Sequence, residues 1–310
     1  MNAVITPAVS PAPIAVSVVL GSYNRRSLLK ATIRSLRSEI DRSGLACEII
    51  VVDGGSTDGS VGWLAAQKDI ITIVQHNRGI WRGKPLERRS WGYFMNLGFK
   101  AAQGKYLCMV SDDCLLVPGA IQSGFELFES ELAAGRMIGA VAFFWRNWPE
   151  QEDYWVGRTL GGKIFVNHGM YLASAIAEVG YCDETTYFFY HADGDLCLKL
   201  WHAGYECIAG ENSYVEHFSH ADQVVRKGNL ERQRQDWSNY VARWAGVYPV
   251  GDDADAWIRR SFHDPLHTAR RFVTAAPVRA ARICAEQWAR RSLTRLRRRV
   301  HRLLPRPARG

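Results

Sequence analysis

No apolar run in the 310 residues approaches the ~20 that a membrane-spanning helix needs, so none is expected. Residues 1–13 are rich in Ala, Pro and Val but lack a basic start running into a long apolar core. They read as a disordered leader, not a signal peptide. The seven cysteines are odd in number and no two are spaced Cys-x-x-Cys. That argues against a disulfide framework or a zinc knuckle and fits reducing, cytoplasmic surroundings. Neither a Gly-x-Gly-x-x-Gly fingerprint nor a P-loop follows the first apolar run, which argues against dehydrogenases and P-loop nucleotide hydrolases.

What is present is segregated charge. The net charge is +8. From Arg259 to the C-terminus, fifteen arginines stand against Asp264 and Glu286, a charge of +13, so the rest of the chain carries −5. A slightly acidic body with a strongly basic tail predicts a tail that meets an anionic surface.

Apolar, β-branched runs at residues 14–20, 47–52, 70–74 and 106–110 predict buried strands. Helical patterning over 25–40, 61–66 and 91–102 falls between them. The alternation predicts an α/β domain with a mostly parallel sheet flanked by helices. The second half is more mixed, with strands expected at 137–145, 163–166 and 214–217, a helix at 195–203, and helical, arginine-rich sequence from 222 onward. In parallel sheets ligands bind beyond the carboxyl ends of the strands. Three polar or acidic loops fall there: Gly21-Ser22-Tyr23-Asn24, Asp53-Gly54-Gly55-Ser56-Thr57-Asp58-Gly59 and Ser111-Asp112-Asp113.

Adjacent carboxylates after a buried strand repel each other unless a cation or hydrogen bonds compensate. Mg2+ or Mn2+ suits such a pair, completed by substrate phosphate oxygens; a pair of solvated loop acids is the plainer alternative. Asp53 and Asp58 stand where a carboxylate can accept from a base or a ribose, and Asp58 equally suits the cap of the next helix. The loop is not a calcium loop, because its sixth position is Asp58 rather than glycine and its twelfth is Leu64 rather than glutamate. Arg78, Arg82, Lys84, Arg88 and Arg89 crowd one loop, as a diphosphate clamp or as a solvated surface.

Taken in order, these motifs resemble the family 2 inverting glycosyltransferases with the GT-A fold. Val16-Ser17-Val18-Val19-Leu20-Gly21-Ser22-Tyr23-Asn24-Arg25 is similar to their opening strand. Glu48-Ile49-Ile50-Val51-Val52-Asp53-Gly54-Gly55-Ser56-Thr57-Asp58-Gly59 resembles their second signature. Asn96-Leu97-Gly98 and Ala101-Ala102-Gln103-Gly104-Lys105-Tyr106-Leu107 resemble the approach to their metal motif. The resemblance covers about residues 14–220. It implies that Tyr23, Asn24, Asp53, Asp58 and Asp112 surround the nucleotide sugar, and that Asp113, Asp112 and His217, rather than His220, meet Mg2+ or Mn2+. It also implies that Asp193 is the catalytic base and that Gly169 and Asp195 lie on the acceptor side. Two departures stand out. Ser111 occupies the first position of the family's Asp-x-Asp, and Ala192 replaces the glutamate that usually precedes the base.

The expected organisation is a leader at 1–13, a catalytic domain at 14–222 divided near 115 into nucleotide-sugar and acceptor halves, and a helical, arginine-rich extension at 223–310. The expected activity is inverting transfer from a nucleotide-diphosphate sugar to a glycan or lipid-linked acceptor in surface polysaccharide or lipid-linked glycan synthesis. The alternative is a catalytically weak binding protein on the same fold. A sugar nucleotidyltransferase needs a Gly-rich basic loop after the first strand, which Gly21-Ser22-Tyr23-Asn24-Arg25-Arg26 matches poorly. In the tail, Leu293, Leu296, Val300, Leu303 and Leu304 share one helical face among arginines. That pattern predicts peripheral contact with an anionic membrane. Nucleic acid is not expected, because no aromatics interleave with the arginines as stacking platforms.

Overall fold

The computed structural model of the protein describes residues 13–218, 228–251 and 257–303. Residues 1–12, His220 and Leu304 lie outside that range, as do the side chains of Leu296, Val300, Leu303 and the arginines among them.

The first half alternates as its patterning predicts. Strand β1 (Val16–Ser22) leads to α1 (Arg26–Ser43), β2 (Cys47–Asp53), α2 (Ser60–Ala65), β3 (Ile70–Val74), α3 (Trp91–Ala101) and β4 (Tyr106–Met109). Val16, Val18, Val19 and Leu20 are all fully buried, as befits a central strand covered on both faces. Helix α1 buries Leu28, Leu29, Ile33 and Leu36. It ends at Gly44, whose φ of 65° lets its N–H reach Ile40 O at 3.2 Å. Helix α3 starts at Ser90, whose hydroxyl accepts from Tyr93 N. It lies close to the sheet because Gly98 has no side chain: a Cβ there would sit 2.4 Å from Val19 Cγ1.

The second half continues with β5 (Cys114–Leu116), α4 (Ala120–Ala133), β6 (Ile138–Asn147), β7 (Tyr154–Val156), β8 (Gly169–Leu172), α5 (Ala173–Glu178), α6 (Ala192–His202) and β9 (Glu206–His217). After them come α7 (Gln233–Trp244), β10 (Ile258–Arg260), α8 (Arg271–Ala275) and α9 (Pro277–Leu303). The ten strands form one sheet in the order β10-β7-β6-β8-β4-β1-β2-β3, with β9 pairing β5 and β6. The run β4-β1-β2-β3 is parallel throughout, and β8 joins it antiparallel to β4.

Several boundaries differ from the sequence reading. Helix α6 begins at Ala192, not 195, which brings Asp193 into its first turn. Strand β9 runs over twelve residues rather than four. Helix α4 and strands β5, β7, β8 and β10 were not foreseen. Residues beyond 222 add to the core. Tyr240 and Trp244 of α7 bury against Leu198, and Phe272 of α8 stacks on Phe218 at 5.2 Å. No described helix is long and apolar enough to cross a membrane.

Candidate active site

Strand order reverses between β1 and β4, so the loops leaving their carboxyl ends diverge and open a crevice. A cavity of about 400 Å³ lies there. Its wall carries Tyr23 and Arg25 after β1, Asp112 and Asp113 after β4, Asp193 from α6 and His217 from the end of β9. The carboxylate pair is buried, with Asp112 3% and Asp113 5% exposed, so solvent does not compensate its charge. Arg25 does. Its Nη1 donates to Asp112 Oδ1 at 2.8 Å and to Asp113 Oδ2 at 2.9 Å, and Ser22 Oγ donates to Asp112 Oδ2 at 2.9 Å.

The two acids are not equivalent. Burial pushes the Asp112 carboxyl up to about 6 against the pull of Arg25. Burial also pushes Asp113 up, but Arg25, then His217 and His168, hold it net below the usual carboxylate range. Asp113 Oδ1 is buried with no hydrogen-bond donor among the described residues and faces His217 Nε2 at 3.5 Å. His217 Nδ1 meets Asn147 Oδ1 at 2.7 Å. An amide oxygen only accepts, so Nδ1 is the donor in that bond and Nε2 is the ring nitrogen turned toward Asp113.

On another part of the wall, Asp193 is half-buried and accepts from Gly194 N at 2.9 Å. Burial pushes its carboxyl up to about 6, offset in part by that N–H. The loop before it is shaped from α7. The Asp236 carboxylate accepts from the backbone N–H groups of Phe188, Phe189 and Tyr190 at 2.8–3.0 Å. Ala192 is fully buried in an apolar cluster with Leu160, Tyr187, Leu198 and Tyr240. A glutamate there would put an unpaired charge among apolar groups.

Asn24, Asp53, Asp58, Gly169 and Asp195 lie off this wall. Asp53 turns back on its own loop, accepting from Gly55 N, Ser56 N and Ser56 Oγ at 2.6–2.9 Å. Asp58 accepts from Arg26 N and Ser60 N, holding the starts of α1 and α2 together. Asn24 Oδ1 accepts from Thr57 N at 2.7 Å and ties the first two loops. Gly169 is a packing requirement, since a Cβ would come within 2.2 Å of Val141 O. Asp195 is fully buried and accepts from Tyr187 Oη and Trp244 Nε1, anchoring α7 on α6. Of the loop cations, Arg78, Arg88 and Arg89 reach the cavity wall. Arg82 and Lys84 are exposed on a small hairpin.

The sequence reading missed Arg25 as a counter-ion and Asp236 as the loop's anchor. Arg25 stood in a recognised motif beside an acidic pair that needed a cation. Asp236 gave no signal, because its partners are backbone groups 46–48 residues away.

The model of the family described as glycosyl transferase family 2 matches residues 17–175, just over half of the chain. The chain belongs to glycosyl transferase family 2. An uncharacterized glycosyltransferase of Nostoc sp., alr2836, is 29% identical over 124 residues, a match spanning 39% of this chain and 35% of that protein. The chain thus spans about a third of the length of this curated relative. Among solved structures, the mannosyltransferase PcManGT from Pyrobaculum calidifontis superposes with a TM-score of 0.53 at 17% identity, over 88% of this chain and 76% of that one. S. aureus TarS superposes with a TM-score of 0.50 at 12% identity, over 86% and 50%. The fold of this family 2 member is the GT-A type: a curled, largely parallel sheet flanked by helices.

Proposed function

We propose that the chain is an inverting glycosyltransferase that moves a sugar from a nucleotide-diphosphate donor to an acceptor hydroxyl. One observation carries the reading: a single cavity holds a buried Asp112–Asp113 pair and, elsewhere on its wall, a carboxylate of raised pKa, Asp193. Asp193 accepts the acceptor's proton as that oxygen attacks the anomeric carbon from the face opposite the diphosphate. One displacement inverts the anomeric centre without a covalent sugar–enzyme intermediate.

The residues present fit a hard divalent cation, because Asp113 Oδ1 is buried without a donor and His217 Nε2 is turned toward it. Asp113, Asp112 and His217 would hold Mg2+ or Mn2+. When bound, the ion supplies neutralisation of the charge that develops on the departing diphosphate. PcManGT, which shares the fold, was solved with GDP-Man and Mn2+, and that pairing supports a nucleotide-diphosphate sugar with a divalent ion here. Arg25 neutralises the carboxylate pair from the cavity wall, where its guanidinium would also donate to phosphate oxygens.

A thermal-shift panel of nucleotide diphosphates and nucleotide sugars, with and without Mn2+ or Mg2+, tests the reading. A ligand at a hundred times its Kd adds about 2.7 kcal/mol of stability, so the midpoint should rise by several degrees with nucleotide and metal together. No rise for any nucleotide diphosphate with either metal would sink it.

The acceptor side of the proposal is a surface polysaccharide or lipid-linked glycan, met at an anionic membrane through the arginine-rich tail. The buried Phe272, Ala280 and Ile283 make the start of the extension part of the fold, so charge reversal is a cleaner test than truncation. Arg295→Glu, Arg298→Glu and Arg302→Glu together should abolish cosedimentation with anionic vesicles. Unchanged cosedimentation rules the membrane contact out.

A further inference from the structure

Behind the acidic pair lies a second set of donors with different chemistry. Cys114 on β5, His168 just before β8 and His217 at the end of β9 bring a thiol and two imidazoles together. Their ligand atoms all lie within 4.8 Å of one another. Among the described residues this is the one cluster of three His, Cys, Asp or Glu donors so spaced. Cys114 Sγ is 3.5 Å from His168 Nε2. A tetrahedral zinc with its usual sulfur and nitrogen bond lengths sets those two donors about 3.6 Å apart. Three such donors leave one tetrahedral position open, on the side of Asp113 Oδ1, which is buried without a donor and lies 3.5 Å from His217 Nε2. Asp113, His168 and His217 all reach the cavity wall, so an ion enters from the cavity and meets Cys114 behind them.

Carboxylate oxygens suit Mg2+ or Mn2+, whereas a thiolate with two imidazoles selects softer ions such as Zn2+. We propose that Cys114, His168 and His217 form a site for a thiophilic divalent ion such as Zn2+, and that filling it takes His217 from the catalytic cation and stops transfer. Binding displaces the Cys114 thiol proton to solvent. The inhibition rests on the proposed function; the site itself does not.

Co2+ is the probe, because a thiolate ligand gives it a charge-transfer absorption that oxygen and nitrogen ligands do not. The full chain should show that band at one Co2+ per chain, and stoichiometric Zn2+ should remove it. Cys114→Ser should lose the band and weaken Zn2+ binding by at least about 100-fold, the upper end of what losing a mere outer-shell partner costs. With a donor found by the thermal-shift panel, low Zn2+ should inhibit Mn2+-supported transfer by the wild-type chain. Cys114→Ser should resist that inhibition by a similar factor while keeping its zinc-free rate. Absence of the band from the wild-type chain overturns the proposal, leaving a thiol–imidazole contact in the core. So does a band or zinc sensitivity that survives Cys114→Ser. If that variant does not fold, His168→Gln replaces it, with the same loss of the band expected. A cobalt–thiolate band in a chain that transfers no sugar from any donor upholds the site and defeats the functional reading instead.

Discussion

Replacing Asp193 with Asn lowers transfer by about 10²–10⁴-fold, the usual contribution of a positioned general base, while metal-dependent donor binding stays within about twofold. The amide keeps the shape and still accepts from Gly194 N, so the first turn of α6 is preserved. What it loses is the capacity to take a proton. Burial has raised the Asp193 carboxyl to about 6, and the sign follows directly. Above that pH the group is a carboxylate and the enzyme is competent. Below it the group is protonated, and kcat/KM should fall about tenfold per pH unit. The acid limb near pH 6 should therefore vanish from the residual activity of Asp193→Asn. A variant that loses donor binding together with transfer, or keeps near wild-type transfer, shows that the base lies elsewhere.

The nucleotide half of the fold was legible because its signals are local. Buried parallel strands read as continuous apolar runs, and the loops that follow them are short, so the sequence alone puts Tyr23, Asp112 and Asp113 at strand ends. The second half was harder because its strands are set by partners far away in sequence. Strand β5 has three residues and pairs with β9, a hundred residues later. The twelve residues of β9 include Gly210, Glu211, Asn212 and Ser213, where register shifts against β6 break the apolar pattern. Helix α4 carried a readable face in Ile121, Gly124 and Phe128, and that face simply went unread.

The same contrast holds within the site. Ala192 looked like a loss of chemistry when set against a family pattern. In the folded chain it fills an apolar cluster around Tyr240, a demand created by α7 and invisible in the local sequence. The Cys114, His168 and His217 cluster was missed for a related reason. Zinc motifs are found in sequence by short spacing, and these donors come from three strands or strand flanks, the first two 54 positions apart.

Asp113→Asn should be the other large effect, and a larger one than Asp112→Asn. Arg25 serves both carboxylates through one nitrogen, so Arg25 alone does not rank them. The ranking comes from what else each carboxylate meets. Asp112 is raised by burial toward 6, and its second oxygen already accepts from Ser22. Asp113 is held charged by Arg25, His217 and His168, and keeps one buried oxygen without a donor, facing His217. A divalent cation gains most from that oxygen. Metal stabilisation of a leaving diphosphate is worth several kcal/mol, so Asp113→Asn should lower transfer on the order of 10³-fold and remove the Mn2+-dependent part of the nucleotide thermal shift. Asp112→Asn keeps that oxygen and the His217 pairing, and should lose on the order of tenfold. Circular dichroism of both variants checks that the chain stays folded with Arg25 left one partner short. Equal losses in the two variants, or a Mn2+-dependent shift that persists in Asp113→Asn, would move the cation away from Asp113 and His217.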